Sequence, residues 1–343
     1  MFVLTSDITI GSFRFSGVNE VQINKSIHSI VETATIRIPS IAKLIKNGKV
    51  SPGSVTTGNQ FKEGDPVVIR LGYNGELKTE FVGFVRRCDL NMPLVVECEG
   101  YSWLLRRNNI SGFYSSIRLI DLLKLAVSGL EGNYTIAVQC DVDLEISNVQ
   151  LNNVSGFKLL DSLATFTDGC LSCFFTGQAT LWCGYVYTPY AKGVDNFGTG
   201  VVKYRLGYNT MKENDLKVRD VGSEQIAVNY IKKRTGGAVV SETSNVFSRT
   251  KQQRTKILNH VKDARALSEL ANEQAYRINY SGCEGSFTTF LDPYAMPGQM
   301  AHLEDRRYPE RYGKYLVESV QVNYGIHGAR RVVEIGPGFG FAK

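Results

Sequence analysis

One pattern of strands and turns occurs twice in this chain, and this repeat limits the fold more than any other feature of the sequence. The stretch Gly64–Gly100 has a glycine turn, a short apolar strand at Val67–Ile69, a polar turn, a longer β-rich run and a closing Val95–Glu97. The stretch Gly298–Gly336 has the same order and closes on Val332–Glu334. The two lengths differ only in turns, where insertions are tolerated. The sequence therefore predicts a duplicated β-module that flanks a different middle region.

The closing tripeptides align the two copies residue by residue. The alignment places Val96, Glu97 and Cys98 on Val333, Glu334 and Ile335. Side chains alternate between the faces of a strand, so the two glutamates should face outward and the other four residues should face the core. A sheet loses its free edges only by closing into a barrel. We therefore expect strands from residues 1–38 to complete the first copy and strands near Ile226 to complete the second.

Length and composition exclude several classes of protein. A chain of 343 residues can form two to four domains with proper cores. The net charge of +6 comes from scattered Lys and Arg, whereas nucleic-acid binders concentrate theirs. No apolar run approaches the roughly 18 residues of a membrane span, and the first residues lack a secretory signal pattern. The odd number of cysteines, seven, suits a reducing cytoplasm better than a disulfide framework.

The first predicted domain covers residues 1–100. Thr33, Thr35 and Arg37 alternate with apolar residues, as in a half-buried strand that Pro39 ends. A short helical piece is predicted at Ile41–Lys46. The following loop, residues 47–62, is rich in Gly, Ser, Thr and Lys and should be exposed.

Residues 101–190 predict a small α+β domain. Ser116 is the expected N-cap of a helix with Leu119, Leu122, Leu123 and Ala126 on one face, and Ser155 is the expected N-cap of a second helix. A hairpin is predicted from Leu171–Phe175 and Thr180–Cys183.

Residues 191–343 predict the second β-module, interrupted by an insertion at about 236–297. The insertion contains a helix that Asp263 should cap. The fold class is therefore mainly β with α+β insertions.

The cysteines raise the question of a zinc site. Cys170 and Cys173 form a CxxC, and Cys140 and Cys183 lie nearby in the sequence. A structural zinc ion needs four ligands that converge tetrahedrally. On a strand, the spacing of three sends the two CxxC thiols to opposite faces, and the chain has no second CxxC. Buried structural thiols are the favoured interpretation, and no metal ligand is assigned.

No residue is assigned a catalytic or cofactor-binding role either. The four histidines, His28, His260, His302 and His327, are isolated, and none accompanies a nucleophile, metal or phosphate motif. Glu304 and Asp305 could be glycosidase carboxylates, but the charges around them favour a solvated turn.

The tyrosines could stack on sugars but favour strand and interface positions. They occur in two groups, which are Tyr185, Tyr187 and Tyr190 followed by Tyr204 and Tyr208. Abundant β-structure without a reaction centre favours a structural or interaction protein over an enzyme.

Several segments resemble a known family. They are Asn214–Asp220, the helix around Ala264–Arg277, Gly282–Leu291, Pro297–Gly298 and the closing run from Tyr315 to Ile335. Together they resemble the C-terminal part of baseplate hub proteins of contractile tails, the late-control gene D family with its Mu-like and pyocin-type relatives. The N-terminal region of type VI secretion spike proteins is similar. The opening Gly64–Val85 resembles the first barrel of the same family.

The resemblance implies two tail-tube-like β-barrels in one chain, separated by the small α+β domain. It implies a homotrimer with pseudo-sixfold symmetry that adapts the hexameric tail tube to the trimeric spike. The chain ends soon after its second β-module, so we expect the spike to be a separate protein. Other baseplate proteins are the remaining expected partners, without a small-molecule substrate, a cofactor or a membrane span. The expected location is the virion tail baseplate, assembled in the bacterial cytoplasm, and a phage, a prophage and a bacterial injection apparatus all remain open as the source.

A second hypothesis remains open at this point. The chain could be a tail-associated protein that degrades peptidoglycan or binds polysaccharide. Clearing of a peptidoglycan suspension would distinguish the enzyme from the structural protein.

Overall fold

The protein is mainly β with a few helices, as the sequence predicts. The structure is a computed structural model that describes residues 3–15, 17–42, 45–46, 49–50, 55–56, 60–177, 179–188, 200–219, 225–233, 239–244, 252–261, 263–280 and 282–338.

Within the described part of the first hundred residues, every regular element is a strand. In chain order they are β1 (Leu4–Ile10), β2 (Phe13–Phe15), β3 (Glu20–Ser26), β4 (Thr33–Ile38), β5 (Ile41–Ala42), β6 (Ile45–Lys46), β7 (Lys49–Val50), β8 (Val55–Thr56), β9 (Pro66–Tyr73), β10 (Glu76–Asp89) and β11 (Leu94–Glu99). In β4 the alternation is as predicted, because Ala34, Ile36 and Ile38 are buried in the core. The predicted helical piece at Ile41–Lys46 is wrong, since short strand pairings take up both of its ends. Most of the predicted loop 47–62 lies outside the described residues.

The middle region mixes helices with two small sheets. It contains α1 (Ser102–Leu105), β12 (Ile110–Arg118), α2 (Leu119–Ala126), β13 (Ala137–Cys140), β14 (Glu145–Val154), α3 (Gly156–Phe166), β15 (Ser172–Thr176) and β16 (Thr180–Gly184). The Ser155 side chain accepts a hydrogen bond from the Lys158 N–H and so caps α3 as predicted. The predicted cap at Ser116 is wrong, because that residue lies inside β12 and Arg118 precedes the helix. The hairpin of β15 and β16 is confirmed.

The last part returns to strands around one long helix. It contains β17 (Val202–Arg205), β18 (Thr210–Arg219), β19 (Ile226–Lys233), β20 (Val239–Thr243), β21 (Gln252–Ile257), α4 (Ala264–Asn279), β22 (Gly282–Thr289), β23 (Met300–Glu304), β24 (Gly313–Gly325) and β25 (Gly328–Gly338). Asp263 caps α4 as predicted, since its side chain accepts a hydrogen bond from the Ala266 N–H.

A single 15-stranded sheet contains both copies of the repeat. We call the run β3-β4-β11-β10-β9-β1 module 1 and the run β18-β22-β25-β24-β23-β17 module 2. Within each run, neighbouring strands are hydrogen-bonded to each other. The described pairings form an open path, so they do not close either module into a barrel.

The two modules repeat the same register around one landmark residue. In module 1, Val85 exchanges backbone hydrogen bonds with Gly64 and Asp65, and in module 2 Val317 does so with Gly298 and Gln299. Val85 is opposite Cys98 and Val317 is opposite Ile335, and a bulge follows at the next residue in both. Beyond it, Val96 and Glu97 occupy the positions of Val333 and Glu334. The alignment made from the sequence is therefore correct at the level of strand pairing.

The two modules differ mainly in the direction of the outermost strand of each run. β1 is antiparallel to β9, whereas β17 is parallel to β23.

A second core lies outside the long sheet and joins distant parts of the sequence. The residues Leu122, Leu160 and Leu181 of the middle region pack in one cluster with Tyr230 of β19 and Leu270 of α4. β19 pairs with β20 and β21 there, so the expectation that strands near Ile226 complete module 2 is wrong. β18 and β22 take that place, and β22 does so from within the predicted insertion 236–297.

Candidate functional site

The contact between the two modules is built from backbone pairing. β3 of module 1 lies antiparallel to the second half of β24 of module 2, from Ser26 opposite Ser319 to Glu20 opposite Gly325. One face of this contact is apolar and buried, with Val21 and Ile23 packed beside Val322 and Tyr324. The chain therefore shows directly how the edge of one module fits the side of another.

A buried ion pair joins the same two modules. Arg331 of β25 and Glu80 of β10 are 1% and 3% exposed at their side chains, and Arg331 Nη2 lies 2.6 Å from Glu80 Oε1. The guanidinium also donates to the carbonyl oxygens of Leu291 and Ala295. A buried guanidinium needs such a set of acceptors, because an unpaired buried charge is strongly destabilising. This arrangement fixes the segment between β22 and β23 against module 1.

A polar cluster links both modules to the middle region. Tyr187 donates its hydroxyl to Glu318 Oε1 at 2.9 Å, and His28 Nε2 lies 3.3 Å from Glu318 Oε2. His28 follows β3, Glu318 lies in β24, and Tyr187 follows the small sheet of the middle region. Burial, with the nearby Glu318 carboxylate, raises the pKa of Tyr187 above its ordinary value, so the phenol remains a proton donor. His28 thus has a structural position between parts of the fold.

Glu273 of α4 holds the chain next to this cluster. Its carboxylate accepts hydrogen bonds from the backbone N–H groups of Val186, Tyr187 and Thr188. Burial raises the pKa of Glu273, while these hydrogen bonds act in the opposite direction. Sequence reasoning missed this residue, because a glutamate on a helix gives no sign that it will be buried.

Each module also has an edge that no described strand covers. Among the described strands, β18 pairs only with β22, so its other edge is uncovered. In module 1, β9 pairs with the first part of β10, and beyond Val85 no described strand continues along that edge of β10. Apolar side chains are exposed at both places, with Val218 53% and Leu90 72% exposed. The part of β10 beyond Val85 is equivalent to the second half of β24 in module 2, and there the edge is covered by β3. These two edges are the candidate assembly surfaces.

Cys170 and Cys173 do not lie together, as the zinc hypothesis would require. Cys140, Cys183 and Cys173 lie side by side on three neighbouring strands, with 3.0 Å between the last two sulfur atoms. Cys170 lies elsewhere, where its thiol is 3.2 Å from the Tyr230 hydroxyl. In the part of the chain that the structure describes, no group of three or more His, Cys, Asp or Glu residues is arranged to hold a metal ion.

The other histidines have ordinary surroundings. His260 contacts the Ser147 carbonyl oxygen and the ring of Phe166. His302 packs edge-on against Tyr312, and His327 lies exposed in the turn between β24 and β25.

The sequence predicts that Glu304 and Asp305 lie in a solvated turn. This prediction is wrong, because Asp305 is buried. It accepts hydrogen bonds from the backbone N–H groups of Arg307 and Tyr308 and pairs with Arg311. Glu304 pairs with Arg205 at 2.8 Å. Both carboxylates therefore have partners that organise the end of β23.

The described tyrosines of the two groups lie in different surroundings. Tyr204 is fully buried in the core of the long sheet, where it packs against Phe287, and Tyr187 is in the cluster described above. Burial raises the pKa of the Tyr185 hydroxyl. Tyr208, by contrast, is exposed. Tyr190 lies outside the described residues.

Within the described ranges, no helix has the length and apolar character needed to cross a bilayer.

Comparison with known proteins gives likenesses of structure without likenesses of sequence. No protein-family model matches the sequence, and no curated protein matches it. The structure is similar to the 43 kDa tail protein of prophage MuSo2 from Shewanella oneidensis, with 11% identity, a TM-score of 0.63 and 98% of each chain covered. It is also similar to a tail protein from Neisseria meningitidis MC58, with 9% identity, a TM-score of 0.65, and 97% of this chain and 96% of that chain covered.

A third likeness extends beyond phages. The E. coli c3393 protein is a component of the type VI secretion system that resembles the T4 bacteriophage tail proteins gp27 and gp5. It shares 9% identity with this chain at a TM-score of 0.58, with 97% of this chain and 78% of that chain covered. Over nearly its whole length, the chain therefore has the fold of these phage tail and type VI secretion proteins.

Proposed function

We propose that this protein is the structural hub of a contractile tail baseplate. In this proposal three copies form a ring that adapts the hexameric tail tube to the trimeric spike. The observation that carries the proposal is the repeated strand register, in which Val85 and Val317 occupy equivalent places in the two modules of one chain. A threefold assembly of such chains presents six similar modules, which is what a hexameric tube needs.

The contacts within the chain support a closed ring. The pairing of β3 with β24 is heterologous, since the edge of one module meets the side of another. A heterologous contact that repeats between copies closes into a ring when the rotation fits. Three chains of two modules each would close with steps of about 60°. In this arrangement each module is the tail-tube-like barrel that the family resemblance implies.

The similar structures support a place in the tail. Two of them are tail proteins, and the third is a component of the type VI secretion system with structural similarity to gp27 and gp5. We therefore infer that the partners of this chain are a tube protein, a spike and other baseplate proteins. The location is the virion baseplate, assembled in the bacterial cytoplasm.

The proposal includes no catalytic step. Glu304 and Asp305 pair with Arg205 and Arg311, and His260 and His302 contact aromatic rings. A turbidity assay on purified peptidoglycan should show no clearing above a buffer control. Clearing that is lost on Glu304→Gln would favour the tail-associated hydrolase instead.

The mass of the protein in solution tests the proposal. The mass should be three times the chain mass of 38.1 kDa, either alone or when a spike protein is co-expressed. Electron microscopy of the protein mixed with its tube protein should show a cap at one end of each tube. A protein that stays monomeric with both partners would contradict the proposal.

A further inference from the structure

We propose that β18 of one copy pairs antiparallel with the end of β10 of the next copy, with Val218 opposite Cys88 and Lys217 opposite Asp89. This pairing rests on the proposed trimer and specifies its interface. The two surfaces involved are the uncovered edges described above.

The pairing of β3 with β24 within one chain shows how the two copies would pair. Module 1 presents its edge strand β3 to the second half of β24 in module 2. The strand at the place of β3 in module 2 is β18, since β3 pairs with β4 and β18 pairs with the equivalent strand β22. The strand at the place of β24 in module 1 is β10. The same contact made between copies therefore joins β18 to β10.

The register on the β10 side follows from equivalent partners. Ser319, Val320 and Gln321 of β24 face Glu334, Val333 and Val332, whereas Arg87, Cys88 and Asp89 of β10 face Glu97, Val96 and Val95. Arg87, Cys88 and Asp89 are therefore the equivalents of Ser319, Val320 and Gln321.

The register on the β18 side is obtained in the same way. Asn24 of β3 faces Thr33, one residue before the Ala34 that lies opposite Cys98. Lys217 of β18 faces Glu284, one residue before the Gly285 that lies opposite Ile335. Lys217 therefore takes the place of Asn24, and Val218 takes the place of Lys25. In the chain, Lys25 lies opposite Val320 and Asn24 opposite Gln321, which gives the proposed pairs.

The side chains on both faces fit this register. Val218, on the face that its strand shares with buried Leu216, would be covered by Cys88. Leu90, two residues along the same face, would approach the bulge beside Leu216. Burying exposed apolar area in this way stabilises a contact. On the other face, Lys217 meets Asp89, and opposite charges directly across two strands attract.

One pair in this register carries like charges. Arg87 would lie opposite Arg219, but each has acidic partners in its own chain. Arg87 lies between Asp89 and Glu97, and Arg219 pairs with Glu284. The carboxylates around these two guanidinium groups prevent an uncompensated repulsion.

Cysteine cross-linking tests the pairing. The variant Val218→Cys is made together with Cys283→Ala, as are its controls, because Cys283 lies opposite residue 218 in the same chain. Oxidised with copper phenanthroline, it should form a disulfide with the native Cys88 of the neighbouring copy. Each chain carries both positions, so the denaturing gel should show dimers and trimers and nothing larger. The double variant Val218→Cys with Cys88→Ser should not cross-link. Met211→Cys, an exposed position farther along β18, should not cross-link either.

The outcomes separate this inference from the proposed function. A trimer in solution without cross-linking through Cys88, or with equal cross-linking from Met211→Cys, would overturn the strand pairing and leave the hub proposal standing. A protein that stays monomeric even with its spike and tube proteins present would overturn both.

A charge exchange gives a second test that needs no oxidation. Asp89→Lys and Lys217→Asp should each weaken the trimer about tenfold or more, because like charges would then face each other across the strands. The combination of both changes should restore most of the affinity, as measured by sedimentation equilibrium. Weakening that adds up in the double variant would contradict the register.

Discussion

At the scale of single residues, Arg331 and Glu80 hold module 1 and module 2 together. Arg331→Met should reduce the free energy of unfolding by about 3–5 kcal/mol, because it leaves Glu80 buried and unpaired. Lys78→Met is the matched control, since Lys78 forms an exposed ion pair with Asp292. That change should cost at most about 1 kcal/mol. Equal urea-unfolding curves for the two variants would contradict this role of the buried pair.

Another residue-scale prediction concerns Glu32 and pH. Burial raises the pKa of Glu32 above its ordinary 4.5, although Lys25 lies 3.8 Å away and acts in the opposite direction. The folded protein then holds a proton that the unfolded chain has released, so stability should fall as the pH rises from 4.5 through the folded-state pKa. Glu32→Gln should remove this part of the pH dependence. Urea unfolding at several pH values checks this, and a constant difference between the two proteins would contradict it.

Some residue positions follow from the sequence and others do not. Ser155 and Asp263 are recognisable caps, because a helix needs an acceptor at its first turn and both precede an apolar helical pattern. Asp305 and Arg331 are buried charges, and Arg331 pairs with Glu80, which is distant in the sequence. Their burial depends on tertiary packing, which periodicity does not report.

At the scale of elements, Gly285 sets the geometry of the edge strand β18. Its φ is +116°, and a Cβ atom there would lie 2.2 Å from the Asp215 carbonyl oxygen. Asp215 itself has a φ of +67°, at a bulge in the pairing of β18 with β22. The glycine therefore allows the two backbones to approach at the bulge.

The change Gly285→Ala should displace β18. We expect a loss of at least about 2 kcal/mol in the free energy of unfolding, together with loss of the proposed trimer. Gly75→Ala is the control, because Gly75 also has a positive φ but faces open space. Thermal unfolding and native mass measure the two effects. A trimer of normal mass from Gly285→Ala would contradict the role given to β18.

Element types were more predictable than element partners. The alternation in β4 and the apolar faces of α2 and α3 predict these elements correctly, because each pattern reports one buried face. β19 has an equally good strand pattern but pairs in a separate small sheet. Alternation shows that a strand is half-buried and does not show which sheet it joins.

At the scale of the whole molecule, the repeat gives the correct equivalence of the two modules. The sequence could not show that the insertion packs with the middle region, since Leu122 and Leu270 are distant in the chain and meet only in the fold. Nor could it show the uncovered edges of β10 and β18, because an edge is defined by which strands are absent beside it. These edges are the part of the candidate site that required a structure.

An electron cryo-microscopy map of the assembled ring tests the central claim most directly. The account predicts three chains around one axis, with six similar modules at steps of about 60° and a continuous sheet where β18 meets β10 of the next copy. A trimer whose modules do not alternate around the axis, or a ring held together through the middle region alone, would contradict it.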